Sequence, residues 1–190
     1  MVSKQQKAKK EWSSLYVEVD LEETSAKYDG KAITVEGPKG TITKKLRYPT
    51  VSIKVEDGKV VIGTDKLTKR EKKIISTYRA HIKNLVKGVR EGFEYKLVVV
   101  FSKFPMTVEH KGNEFIVKNL LGEKVPRVMK VPEGVEVDVK GKDIYVRGID
   151  KELVGQCAAN IEQLCKVTHL DRRVVQDGVF ITSKPHREYV

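Results

Sequence analysis

Aromatic and sulfur side chains are what this 190-residue chain has least of: one Trp, five Phe, two Cys and three Met. Its two cysteines, Cys157 and Cys165, are spaced to share one helical face about 12 Å apart along the axis, too far for a disulfide. They read as small core residues in a reducing compartment. No apolar run approaches the roughly 20 residues of a membrane span, and the first residues hold no hydrophobic signal core, so secretion is not expected. The four histidines, His81, His110, His169 and His186, are scattered without a metal-ligand spacing. Nucleophile-elbow and phosphate-loop motifs are missing. Carboxylates sit mostly in turns such as Glu56-Asp57 or beside lysines, where solvated or paired roles fit better than acid–base work. The expectation is therefore no enzyme, no cofactor and no metal site. Phe93, Tyr95, Phe101 and Phe104 are placed as core residues rather than as a base-stacking strand, which excludes a sequence-reading single-strand binder. Gly37-Pro38-Lys39-Gly40 superficially matches the phosphate-clamping loop of KH domains, but it joins two strands and reads as a type I turn.

Positive charge is what the chain has most of. Thirty-seven Lys and Arg against 26 Asp and Glu leave a net +11, a balance that points to a polyanionic partner, with nucleic acid first among them. The excess is uneven: residues 1–92 carry 21 basic and 12 acidic side chains, residues 93–190 carry 16 and 14.

The apolar pattern is written twice. Ile74, Ile75, Tyr78, Ile82, Leu85 and Val86 trace one helical face, and Leu153, Val154, Cys157, Ile161, Leu164 and Cys165 repeat it 79 residues later. Upstream, Ile33 to Gly40 is echoed by Phe115 to Gly122 at an offset of 82, and Val51 to Val55 by Val135 to Val139 at 84. Three matches in one order argue for a duplicated unit. Each copy reads as strands in runs followed by one helix, which gives an α+β fold: two tandem antiparallel sheets, each with a helix packed on one face. The expected organisation is a basic disordered arm over 1–11, a first repeat over 12–90, and a second over 91–190 ending in a short polar tail.

Local signals place the elements. Trp12 opens the first strand, in which Leu15, Val17 and Val19 alternate with polar residues. Thr68-Lys69-Arg70-Glu71 is a capping box for the first helix, and Gly88 is its expected left-handed terminator. Asp150 is the expected N-cap of the second. Glu56-Asp57-Gly58-Lys59, Lys111-Gly112-Asn113 and Lys140-Gly141-Lys142-Asp143 are hairpin turns.

Six segments in this order carry a family resemblance: Val35 to Gly40, Asn84 to Val89, Gly92 to Leu97, Phe104-Pro105-Met106, Leu121 to Lys124 and Asp177 to Phe180. Over about residues 15–183 the chain resembles the family of universal large-subunit ribosomal protein six, in its archaeal and eukaryotic branch (nine in the eukaryotic scheme). The resemblance implies two copies of one α+β unit bound to large-subunit rRNA near the stalk base and the sarcin–ricin loop, with neighbouring ribosomal proteins and docking translational GTPases close by. It implies a cytoplasmic location, nucleolar during assembly in a eukaryotic cell, and neither catalytic residue nor cofactor. The basic arm, Gly63 to Leu67 before the first helix (where the family is tryptophan-rich) and Lys184-Pro185 (where it often has a Lys-Gly turn) depart from the family pattern. The residues expected to meet phosphates are Lys124, Arg127, Lys130, Arg172, Arg173, Lys184 and Arg187 in the second copy, with Lys44 and Lys45 in the first.

Overall fold

The computed structural model describes residues 15–56, 58–66, 68–168, 170, 171 and 173–185, with 187 and 188 described for backbone alone. The basic arm, Trp12, Arg172 and the side chain of Arg187 lie outside the described residues. The chain divides after Glu91 into two compact units.

Unit 1 runs β1 (Leu15–Asp20), β2 (Ser25–Tyr28), β3 (Ala32–Gly37), β4 (Gly40–Lys45), β5 (Ser52–Glu56), β6 (Lys59–Thr64) and α1 (Lys69–Arg90). Its strands form two antiparallel sheets, ordered β1-β6-β5 and β2-β3-β4. Helix α1 lies against strands of both. Ile75, Ile82, Leu85, Val86 and Val89 bury the stripe that the 3.6-residue period defines, beside Ile33, Val35, Ile42 and Ile62.

Unit 2 repeats the order: β7 (Phe93–Val100), β8 (Thr107–Lys111), β9 (Glu114–Lys118), a 3-10 turn (Leu120–Gly122), β10 (Arg127–Lys130), β11 (Val135–Lys140), β12 (Asp143–Gly148) and α2 (Lys151–Leu164). Two strands follow, β13 (Gly178–Lys184) and β14 (Arg187–Glu188). The sheets are ordered β10-β9-β8 and β11-β12-β7-β13-β14. Setting β7, β12 and β11 over β1, β6 and β5 superposes the strand orders.

The repetition reaches single hydrogen bonds. Leu21 N–H donates to the Gly58 carbonyl at 2.9 Å, and Val99 N–H donates to that of Lys142 at 2.8 Å. Leu46 N–H reaches the Lys31 carbonyl at 3.0 Å, and Val131 N–H that of Asn113 at 2.9 Å. Ile33 and Phe115, Val35 and Val117, and Ile82 and Ile161 occupy matching buried positions. The fold is the α+β duplication that the sequence pattern calls for.

Several local expectations are corrected. Thr68 occupies the N-cap of α1 without a side-chain cap bond. Glu71 is buried instead and accepts from the Thr50 hydroxyl at 3.4 Å, so no capping box forms. Gly88 is a buried helical residue, and α1 continues to Arg90; Gly92, at φ +78°, makes the left-handed turn. Leu153 and Ile74 are not fully buried, because they sit at the rim of the helical stripe. The polar tail is partly ordered as β14, paired with Ser183 and Lys184 of β13. Asp150 caps α2 as its side chain permits, accepting from Glu152 N–H at 2.8 Å.

Candidate nucleic-acid interface

Three connections converge at one end of unit 2. Strand β13 is antiparallel to β7, with Gly178 opposite Val100, so the segment after β7 and the segment before β13 must lie side by side. Side chains then fasten them. The buried Asp177 carboxylate accepts from Ser102 N–H at 2.9 Å and from its hydroxyl at 2.8 Å. Asn119 Nδ2 donates to the Pro105 carbonyl at 2.9 Å, tying the segment before β10 to the segment after β7.

Arg127 supplies the third tie. Its guanidinium is bidentate to Glu123, with Nε 2.8 Å from Oε2 and a terminal nitrogen 2.5 Å from Oε1. The other terminal nitrogen donates to the carbonyls of Leu164 and Lys166, at 2.8 and 3.0 Å. Those carbonyls close the C-terminal turn of α2, where unpaired acceptors and the negative end of the helix dipole favour a cation. Hydrogen bonding to Arg127 holds the Glu123 carboxyl below the usual carboxylate range. Arg127, expected to meet phosphate, thus places four of its five N–H donors on internal partners and braces this end of the unit, with one N–H remaining.

The segment carrying Lys124 is held in an uncommon backbone. Asn119 and Leu121 have φ of +60° and +50°, and Gly122 has φ of +81°. A leucine in this region is costly and persists only where its surroundings determine it. Phe104 lies over Gly122, its ring 3.9 Å from where a Cβ would stand.

With acids used in this way, the cations of the same end remain. Lys103, Lys124 and Lys166 are exposed, and among the described residues no ion pair joins them. Arg173 is fully extended into solvent, with only a 4.0 Å approach to Asp171, whose carboxylate also accepts Arg173 N–H at 2.9 Å. Lys142 joins them from the β11–β12 turn, its ammonium 4.8 Å from the Phe101 ring centroid. Val125 and Val174, next in sequence to Lys124 and Arg173, are 76% and 80% exposed. A cleft of about 500 Å³ opens beside the last turn of α2, lined by Val100, Glu162, Lys166, Val167, Gln176 and Phe180 among others.

The remaining expected cations lie elsewhere. Lys130 is exposed at the far end of β10, opposite Glu114, and Lys184 at the far end of β13. Lys45 is exposed on β4, while Lys44 is half-buried with its ammonium 3.2 Å from His81 Nδ1. Within unit 2, Lys130 and Lys184 therefore lie away from the end that carries Lys124 and Arg173. Lys103 and Lys166 are each the single cation of their segment, and Lys142 shares its turn with Lys140, so charge pattern alone does not set them apart. The only available signal was their position just after a strand, in a turn and just after a helix. Among the described residues no acidic or His/Cys cluster could hold a metal, and no helix is long and apolar enough to cross a membrane.

The sequence model of the family described as Ribosomal protein L6 matches residues 22–92 and 104–178, one match in each unit. Three archaeal proteins, each named large ribosomal subunit protein uL6, are similar over most of the chain. That of Methanococcus vannielii is 46% identical over 160 residues, covering 84% of this chain and 88% of the relative. That of Archaeoglobus fulgidus is 48% identical over 158 residues, 83% and 81% of the two chains. That of Natronomonas pharaonis is 44% identical over 166 residues, 87% and 94%. With both of its units matched and more than four-fifths of each of these relatives covered, the chain belongs to the ribosomal protein L6 family.

Proposed function

We propose that the chain is a structural, non-catalytic constituent of the large ribosomal subunit that binds large-subunit rRNA through the loop-bearing end of unit 2. The family and the printed names of the relatives support the particle. The observation that supports the surface is the consumption of Glu123 and Asp177 by internal bonds while Lys103, Lys124 and Lys166 stay without ion pairs beside them. Rigid loops with solvated ammonium and guanidinium groups suit phosphate and shape contacts to folded RNA, which positions rather than reads sequence. The role is scaffolding: neutralising phosphates and holding rRNA helices in place. The family resemblance puts this contact near the stalk base and the sarcin–ricin region, with translational GTPases docking nearby and other large-subunit proteins adjoining. The protein would work in the cytoplasm, and in a eukaryotic cell would join the particle in the nucleolus.

The test is binding of the full chain to a large-subunit rRNA fragment across a salt series. Replacing Lys124, Lys166 and Arg173 together by Ala should flatten the plot of log affinity against log salt by up to about three units, at ~0.9 per phosphate contact. Replacing Lys72 and Lys73 of α1 is the control for bulk charge. Equal effects per charge removed in the two variants, or an unchanged slope in the first, would remove this end of unit 2 from the interface.

A further inference from the structure

The duplication leaves one place filled in unit 2 and open in unit 1. In unit 2 the edge of β7 away from β12 is covered by β13, antiparallel, with Gly178, Val179, Phe180 and Ile181 opposite Val100, Val99, Val98 and Leu97. The matching edge in unit 1 belongs to β1, and among the described residues nothing pairs with it. Because Leu21 N–H is directed to Gly58 on the β6 side, strand alternation directs the N–H and C=O of Tyr16, Glu18 and Asp20 to the open edge. An unpaired row of this kind is a template for another strand. The groove between this edge and α1 has a volume of about 320 Å³ and is lined by Val19, Val86, Lys83, Lys87, Arg90 and Glu22 among others. Val86 occupies the position that Cys165 holds next to Val179 in unit 2.

Charge says what the edge would take. The outward side chains of β7 are Lys96, Val98 and Val100; at the matching places unit 1 has Glu18, Asp20 and Glu22. Lys59 of the paired strand β6 reaches Glu18 and Asp20 at 3.6 and 3.2 Å, and Arg90 pairs with Glu22. Asp20 nevertheless remains 70% exposed. An acidic row repels a nucleic-acid backbone and attracts Lys or Arg directly across a strand pair. We propose that the outer edge of β1 binds an extended segment of another polypeptide, antiparallel to β1, with apolar residues turned to Val19 and basic residues opposite Glu18 and Asp20. Main-chain bonds would give affinity and the alternation would give register. The surface goes beyond the rRNA contact above: it lies on the other unit, and the outward row of its strand is acidic where the groove wall on α1 is basic.

The probe is the peptide Lys-Val-Lys-Ile-Lys-Val-Lys, titrated into the isotopically labelled full chain, with Glu-Val-Glu-Ile-Glu-Val-Glu as its counterpart. The basic peptide should shift the amides of Tyr16, Glu18 and Asp20 and slow their hydrogen exchange, and the acidic peptide should bind roughly tenfold more weakly or worse. Glu18→Pro removes one outward donor at an edge position that tolerates proline. It should weaken the basic peptide several-fold while the spectrum of the rest of unit 1 stays folded. If Glu18→Pro unfolds the unit, the double variant Glu18→Lys, Asp20→Lys carries the test, because it should reverse the preference between the two peptides. Shifts confined to other surfaces would overturn the proposal, as would equal binding of both peptides. Protection of the three amides in the free chain would also overturn it, since the edge would then be covered by residues of the chain itself.

Discussion

Asp177 and Ser102, 75 residues apart in sequence, are joined by two hydrogen bonds to one carboxylate oxygen. That single oxygen fixes the segment carrying Lys103 to the segment carrying Arg173. Asp177 is 5% exposed and Ser102 is exposed, so removing the carboxylate breaks two charge-assisted hydrogen bonds at the edge of the buried region.

Asp177→Ala should therefore destabilise unit 2 by about 1–3 kcal/mol, read from chemical denaturation. It should also weaken rRNA-fragment binding although no cation is removed. A variant that loses stability but binds with an unchanged salt slope and unchanged affinity would show that the two loops need no fastening to work.

Gly37 meets α1 where no side chain fits. A Cβ there would come within 2.7 Å of Val89 Cγ2 and 3.0 Å of the Val89 carbonyl oxygen, and Lys39 N–H donates to that same oxygen at 2.9 Å. Gly37→Ala should cost about 1–3 kcal/mol through overpacking. A change of only a few tenths would mean that the β3–β4 turn can lift from the helix without loss.

Burial pushes the thiols of Cys157 and Cys165 up to about 11, with Arg127 partly opposing the shift at Cys165. Both should react slowly with a disulfide reagent at neutral pH in the native protein and quickly once it is denatured. The sign for stability follows from the raised values. Unfolded thiols ionise near 8.5, so the thiol contribution is complete below that pH and is lost as the pH climbs toward about 11. Replacing both by Ser should remove that part of the alkaline slope; an unchanged slope would assign it to other groups.

Each unit holds its own core, and we expect each to be an independent folding domain. A fragment of residues 92–190 should unfold cooperatively and give dispersed amide signals. Ile161→Ala within it should cost about 2–5 kcal/mol, because Ile161 is fully buried. A fragment without dispersed signals would make the two units one cooperative body.

The repeated core was legible because period alone finds it. Ile33 with Val35, Phe115 with Val117, and the helix residues Ile82 and Ile161 all fall on the buried side their spacing indicates. Strand β2 was not legible: Ser25-Ala26-Lys27-Tyr28 has little apolar alternation and is a strand because β3 pairs with it. The capping box failed for a related reason. Glu71 had the right local spacing, yet Thr50, 21 residues away, draws its side chain inward. At the interface, sequence showed charge but not who answers it. Arg127 and Lys124 are equivalent cations on the page; only the carbonyls of Leu164 and Lys166 distinguish the brace from the free ammonium.

The order of strands also sets a schedule for synthesis. Unit 1 has every described strand and its helix by the time Glu91 is made. Unit 2 cannot finish until β13, beyond α2, arrives to cover the edge of β7. A nascent chain stalled between Leu164 and Asp177 thus carries one finished unit and one with a bare β7 edge, and its Ser102 still lacks the carboxylate that fastens it. The proposed binding end of unit 2 is the last part to take shape, so rRNA capture through it would be tied to near-complete translation of the repeat.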